Sequence, residues 1–320
     1  MASEIRKVAV LGAGVMGQGI AAHLANSGVP SVLYDMVPRD AGEGEGARTR
    51  LAIEGLNKAK KARPALFFHK NLASMVTPAN YEDHGALLAE CDLIIEVVAE
   101  VLAIKTSVFE WVATHRTEGA ILASNTSGLS LADMCAPMTD EMRRHFLVMH
   151  FFNPVRYMRL LELVGSDHTA PEVMSRVATF GEEVLGKGIV YGKDTPNFIA
   201  NRVGIFGIGS VLRHQARLGL GVEEVDLLFG QAMGRPHKGV FGLADLVGLD
   251  VLLHAQKTVY DGCPEDEERD AFNSPDWLSA MVQTEGLLGD KGGKGFYHRT
   301  RGPDGKRVTL VRDLSTGEYG

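Results

Sequence analysis

Residues 7–35 read KVAVLGAGVMGQGIAAHLANSGVPSVLYD, and the punctuation of this stretch decides the fold. Lys7 to Leu11 is a short apolar, β-branched run. Gly12-Ala13-Gly14-Val15-Met16-Gly17 interrupts it, and Ile20, Ala21, Leu24 and Ala25 then recur at helical spacing. The pattern predicts strand, tight turn and helix. A second strand, Ser31 to Tyr34, ends on Asp35. A G-x-G-x-x-G that follows a strand, opens a helix and precedes an acid closing the next strand has the full context of a dinucleotide fingerprint. Gly12 allows the tight turn, Gly14 lets the backbone approach a pyrophosphate and Gly17 lets the helix pack closely on the strand. The free N–H groups at the helix start face the phosphates. Asp35 is placed to accept from both ribose hydroxyls, and its charge opposes a 2′-phosphate, so NAD is expected rather than NADP.

Working outward, Asp92 to Val98, Ala120 to Ala123, Phe146 to Phe152, Leu160 to Val164 and Gly188 to Tyr191 read as further buried strands with helical stretches between them. The helical stretches include Gly46 to Lys70, and about Pro171 to Leu185. Alternation of this kind implies α/β architecture: a Rossmann-type, doubly wound parallel sheet covered on both faces. After Asp194-Thr195-Pro196 the pattern changes. Asn197 to Leu218 reads as one long apolar helix, and little strand character follows, so an all-α second domain is expected. The expected divisions are 1–192 for the dinucleotide domain, 193–299 for a helical substrate and dimerisation domain, and 300–320 for a tail or connector.

The chain has 320 residues, 45% hydrophobic and 23% charged, enough to bury a core and unlike disordered or fibrous compositions. A net charge of −7 argues against nucleic acid as a partner. The three cysteines, Cys91, Cys135 and Cys263, are widely spaced, which suggests neither a disulfide framework nor a metal site. The N-terminal apolar run is far too short for a signal peptide or a membrane span, so a cytoplasmic protein without membrane contact is expected. Lys58, Lys60, Lys61 and Arg63 form a basic run in an acidic chain. It is either a solvated helix face or a contact for a polyanionic ligand.

Among the histidines, His150 stands apart, because it closes the apolar run Phe146 to Met149 and opens Phe151-Phe152-Asn153-Pro154 at the end of a predicted strand. Glu162 is the only acid in the next apolar strand, where a charge is costly without a partner. A hairpin centred on residue 156 would set positions 150 and 162 opposite one another. A carboxylate on one ring nitrogen would fix the imidazole tautomer and leave the other nitrogen as a general base. A structural ion pair would use the same two residues. Ser124-Asn125-Thr126-Ser127-Gly128 follows another strand and offers hydroxyls and amides at the same sheet edge, or an ordinary capped turn. Asn201 sits in an apolar helix, where an amide prefers a partner.

With these residues on the page, the chain resembles the L-3-hydroxyacyl-CoA dehydrogenase family over about 290 residues. The matching segments are VAVLGAGVMGQGIAAHLANSG, EVVAE followed by Lys105, ASNTSGLS, HFFNPVRYMRLLELV, KDTPNFIANRVG, MGRPHKGVFGLADLVGLD and GGKGFYHR. The resemblance implies NAD-dependent oxidation of an L-3-hydroxyacyl-CoA to a 3-ketoacyl-CoA in fatty-acid oxidation. It makes His150 the base and Glu162 its partner, gives substrate contacts to Ser127 and Asn201 with Asn153 nearby, and sets Glu100 and Lys105 near the nicotinamide ribose. It also implies a homodimer formed through the helical domain. The same fold and dyad serve dehydrogenases of free hydroxy acids, and a non-catalytic NAD-binding protein is a further alternative. The chain departs from the family in having Asn197 where glycine is usual, and the apolar Val101 and Ala103 between Glu100 and Lys105. Its tail resembles the connector of longer multifunctional fatty-acid-oxidation proteins, which implies a portion of a longer chain.

Overall fold

The computed structural model describes residues 4–235 and 237–320, which form two compact units divided between Phe198 and Ile199. The first unit is built on an eight-stranded sheet in the order β3-β2-β1-β4-β5-β6-β7-β8. The strands are β1 (Val8–Leu11), β2 (Ser31–Asp35), β3 (Val76–Asn80), β4 (Leu93–Glu96), β5 (Ile121–Ser124), β6 (Phe146–Phe151), β7 (Leu160–Gly165) and β8 (Gly188–Gly192). All neighbours run parallel except β6 and β7, which are antiparallel. The carboxyl ends of β1, β2, β4, β5 and β6 therefore share one edge, where ligands of open α/β sheets bind.

The helices of this unit are α1 (Val15–Asn26), α2 (Glu45–Arg48), α3 (Arg50–Lys61), α4 (Leu102–His115), α5 (Leu131–Cys135), α6 (Asp140–Arg144) and α7 (Pro171–Thr179). One face of the sheet is covered by α1, α3 and α7, through Ile20, Leu24, Leu56 and Val177. The other is covered by α4, α5 and α6, through Phe109, Val112, Met134 and Met142. Two-sided burial explains why the central strands carry continuous apolar runs.

Three local differences from the sequence expectation have physical causes. The stretch 46–70 is two helices rather than one, and it ends at Lys61 because Pro64 disfavours helical backbone at the residue before it. β3 was not anticipated: its sequence VTPAN looks like a turn, yet Pro78 is tolerated because β3 lies at the sheet edge. The long helix begins at Ala200, because Asn197 and Phe198 have φ of 60° and 49°. Asn is the side chain that best tolerates this region, which fits its replacement of the family's glycine.

The second unit contains α8 (Ala200–Leu218), α9 (Val222–Leu228), α10 (Phe241–Val247), α11 (Leu249–Gly262) and α12 (Asp276–Gln283), packed around Leu212, Val225, Phe241, Leu252, Leu278 and Phe296. The expectation of a wholly helical unit needs one addition, an antiparallel hairpin of β9 (Tyr297–Arg301) and β10 (Arg307–Val311). β9, YHRTR, is polar and lacks the apolar alternation that marks a strand in sequence, whereas RVTLV of β10 carries Val308 and Leu310 at strand spacing but is short and half exposed. The last residues are folded against this unit: the Arg312 N–H donates to Phe296 O, and the Tyr319 hydroxyl donates to Gly295 O at 2.5 Å. Among the described residues no helix is long and apolar enough to cross a membrane.

His23, on the buried face of α1, gives a pH prediction. Its Nε2 lies 2.9 Å from Leu185 O, and its Nδ1 is buried without a partner among the described residues. Burial, with the Lys187 charge second, pulls its pKa down to about 4. The unfolded chain therefore binds more protons between about pH 6.5 and 4, so this group's contribution is intact above 6.5 and is lost as the pH falls toward 4. The loss is expected to approach roughly 3 kcal/mol. His23→Gln, which keeps the donor to Leu185 O, should flatten the urea stability profile over that window; an unchanged slope would refute the assignment.

Candidate active site

The nucleotide cradle follows from backbone geometry that only small residues permit. Gly12 has φ of +118°, and a Cβ there would lie 2.8 Å from Val97 O; a Cβ on Gly17 would lie 1.8 Å from Gly12 O. Gly14, by contrast, faces open space, with nothing within 4 Å of its Cβ position. This is the side from which a pyrophosphate would approach. The helix α1 begins there with no side-chain cap and no acid in its first turn, so its N–H groups and positive end are available to an anion. Asp35 closes β2, accepts from the Ala13 N–H at 2.9 Å and from the Met36 N–H at 2.7 Å, and keeps lone pairs for a sugar hydroxyl. Gly55 of α3 lies against the same turn, its Cβ position 2.7 Å from Ala13 O. The donor set fits a dinucleotide with a free 2′-hydroxyl.

Farther along the same edge, the β6–β7 register sets His150 opposite Glu162, as the hairpin arithmetic anticipates. Nδ1 of His150 lies 2.6 Å from Oε2 of Glu162, and both residues are buried. A carboxylate at Nδ1 favours the proton on that nitrogen and leaves Nε2 as the acceptor. The ring is flanked by Phe152 and Phe198, with centroids at 4.3 and 5.8 Å. The apolar surround keeps water from the Glu162 carboxylate and strengthens the pair. Asn125 Oδ1 accepts from the Phe151 N–H at 2.9 Å, tying the end of β5 to the residue beside the imidazole.

Between the cradle and the dyad, along the sheet edge, lies a charged network. Glu96, at the end of β4, is fully buried and accepts from Lys105 Nζ at 2.7 and 2.9 Å, from Ser124 Oγ at 2.6 Å and from the Val98 N–H at 2.7 Å. Lys105, in the first turn of α4, is 1% exposed and also pairs with Glu100 at 3.2 Å. Glu100 in turn accepts from Thr126 Oγ1, and from the Ser127 N–H at 3.0 Å. Burial pushes the Glu100 carboxyl up, but the Lys105 charge and the bonds from Thr126 and Ser127 outweigh it and leave its pKa below the ordinary value.

The structure thus brings together Gly12, Gly14, Gly17 and Asp35, pairs His150 with Glu162, and joins Glu100 and Lys105 to Ser127. Ser127 itself is exposed on the turn after β5, and Asn153 is exposed just beyond β6. Asn201 lies in the first turn of α8, in the second unit. Asn125 belongs to the polar cluster 124–128 that the sequence places at this edge, whereas Glu96 is a further site residue. The signal for Glu96 was available, since it is a single acid in an apolar strand, as Glu162 is.

A nucleotide cradle and a buried His–Glu pair on one edge of a doubly wound sheet define a dinucleotide-dependent dehydrogenase unit. Comparison with known proteins makes this particular: residues 7–195 match "3-hydroxyacyl-CoA dehydrogenase, NAD binding domain" and residues 198–299 match "3-hydroxyacyl-CoA dehydrogenase, C-terminal domain". The chain belongs to the 3-hydroxyacyl-CoA dehydrogenase family. It is 43% identical to a probable 3-hydroxyacyl-CoA dehydrogenase of Bacillus subtilis, over all of this chain and 41% of that protein. It is 37% identical to a putative fatty acid oxidation complex trifunctional enzyme of Rickettsia prowazekii, over all of this chain and 44% of that one. The chain therefore spans less than half the length of these curated relatives. The crystal structure of FadB2 from M. tuberculosis superposes with a TM-score of 0.78 at 30% identity, covering 93% of this chain and all of the other.

Proposed function

We propose that this chain catalyses NAD-dependent oxidation of an L-3-hydroxyacyl-CoA to the 3-ketoacyl-CoA in fatty-acid oxidation, with His150 as the general base. The observation that carries this reading is the buried His150–Glu162 pair at the sheet edge that also holds the cradle. NAD, when bound, supplies the hydride acceptor, and Gly12, Gly14, Gly17 and Asp35 would hold it. His150 Nε2 takes the proton of the 3-hydroxyl. Glu162, fixed at Nδ1, stabilises the imidazolium that results, as the buried acid does in a Ser-His-Asp triad. In the reverse direction the imidazolium returns that proton to the keto oxygen. Ser127 and Asn201 bind the reacting oxygen and Asn153 supports the substrate from the turn after β6. Glu100 and Lys105 serve the nicotinamide ribose side, and because Lys105 is fully enclosed by its carboxylates, it acts there by holding Glu100 and the Ser127 turn.

The last turn of α3 carries Lys58, Lys60 and Lys61, with Arg63 just beyond. None of the four has a carboxylate partner among the described residues, which leaves their charge for the CoA phosphates. The second unit leaves Val203, Leu227, Leu246 and Val251 exposed, apolar surface that a homodimer would cover. Three unpaired cysteines suit the reducing cytoplasm, and the match to 44% of a putative trifunctional fatty acid oxidation enzyme suits a place within a longer multifunctional chain. The test is NADH consumption with acetoacetyl-CoA, a longer 3-ketoacyl-CoA and a CoA-free keto acid. Turnover of the thioesters supports the proposal. Activity on the free acid alone moves the chain to hydroxy-acid dehydrogenation, and NADH binding without any turnover makes it a non-catalytic NAD-binding protein.

A further inference from the structure

The turn that follows the dyad strand is held from two sides by side chains that the proposed chemistry does not use. Lys187, immediately before β8, is 6% exposed and has no ion pair among the described residues. Its Nζ donates to Val155 O at 2.5 Å and to Met158 O at 2.8 Å. A buried cation without a counter-ion is costly, and burial lowers the pKa of this amine to about 8. The turn itself is seated by Val155, which packs in the core against Gly19 of α1.

The opposite side of the same turn reaches the loop beyond α3. Arg156 Nη1 donates to Ala65 O at 2.8 Å and to Phe67 O at 3.3 Å, and the Tyr157 hydroxyl donates to Ala65 O at 3.0 Å. The Arg156 guanidinium also stacks on Phe68, 4.4 Å from the ring centroid. The loop is also held by Asn26, whose amide donates to Leu66 O and accepts from the Phe68 N–H, both at 2.8 Å, and by Phe67, which is buried in the core. The loop forms one wall of an open cleft whose lining includes Lys60, His69 and Lys70.

We infer that residues 153–158 are a strut joining the base strand to the phosphate-binding face, with Lys187 anchoring it on the sheet side and Arg156 and Tyr157 locking the 65–67 loop. Arg156, Tyr157 and Lys187 are positioning residues: the first two set the cationic cleft and so the preference for a phosphorylated carrier, and Lys187 sets the turn on which both ends depend. The inference rests on the CoA reading above. It extends it by naming residues of no assigned role that determine selectivity for the carrier. Misplacing a reacting group by about 1 Å is enough to cost a large factor in rate.

The test compares acetoacetyl-CoA with acetoacetyl-N-acetylcysteamine, which lacks every phosphate, in NADH-dependent reduction. The wild-type protein is expected to favour the CoA thioester. Arg156→Met and Tyr157→Phe should each lower that preference by roughly fivefold to tenfold, through KM for the CoA substrate, as expected for loss of one or two hydrogen bonds. Their kcat on the truncated thioester should be retained. Lys187→Met should lower kcat on both thioesters with NADH affinity unchanged; if it does not fold, the two surface variants still decide the matter. A wild-type protein that reduces both thioesters, with variants that keep its selectivity within about twofold, overturns the strut alone. Loss of selectivity in Arg156→Met but not in Tyr157→Phe overturns it too, in favour of a direct Arg156–phosphate contact. A wild-type protein that reduces neither thioester overturns the function and the strut together.

Discussion

Replacing His150 by Gln is expected to lower kcat for acetoacetyl-CoA reduction by roughly 10² to 10⁴-fold, the range over which a positioned general acid or base acts. NADH affinity should stay near the wild-type value, because the cradle of Gly12, Gly14, Gly17 and Asp35 is built on β1 and β2 and shares no hydrogen bond with His150. The expected rate loss corresponds to about 3 to 5 kcal/mol of transition-state stabilisation. Glu162→Gln probes the same step differently. The amide is nearly isosteric, but it offers an N–H where the carboxylate accepted, so it favours the proton on Nε2 and removes the acceptor that the hydroxyl needs. A loss approaching that of the His150 variant is expected, with the pH profile of kcat altered. If steady-state kinetics show His150→Gln turning over within about threefold of wild type, the base lies elsewhere and the buried pair is structural.

The parts of this molecule that could be read from sequence are those where one residue type satisfies one local constraint. Gly12 and Gly17 are legible because a Cβ is impossible at either place, and the pairing of His150 with Glu162 because the strand period of two fixes which side chains can meet. What stayed hidden depended on partners distant in sequence. Glu96, a lone acid in an apolar strand, signals the need for a partner, but nothing local says that Lys105 and Ser124 are the residues that converge on it. β3 was masked by Pro78, whose tolerance depends on the strand lying at the edge of the sheet. The β9–β10 hairpin was masked on its β9 side, where YHRTR is polar and half exposed, although RVTLV of β10 alternates as a strand does. Asn197 is an intermediate case: its replacement of glycine was visible, but the positive φ that explains the substitution had to be seen.

Lys105→Met is expected to destabilise the chain by roughly 3 to 5 kcal/mol in urea denaturation, because it strands the Glu96 carboxylate without a counter-charge in the sheet interior. The ammonium donates to both Glu96 oxygens, and neither residue is more than 1% exposed, so no water can replace it without opening α4. The double variant Glu96→Gln with Lys105→Met should recover most of that loss, to within about 1 to 2 kcal/mol of wild type, since breaking one partner of a buried pair costs far more than neutralising both. Gln at 96 keeps a side-chain oxygen for Ser124 Oγ or the Val98 N–H. The recovered protein then separates the two roles of Lys105. Glu100 is 41% exposed at its side chain and can be solvated, but without Lys105 it is released to move, and with it the Ser127 turn that it holds through Thr126 and the Ser127 N–H. A double variant that is stable yet deficient in kcat shows that Lys105 positions the Ser127 turn. One that is both stable and fully active shows that the network serves stability alone, and one as unstable as the single variant refutes the stranded-charge account.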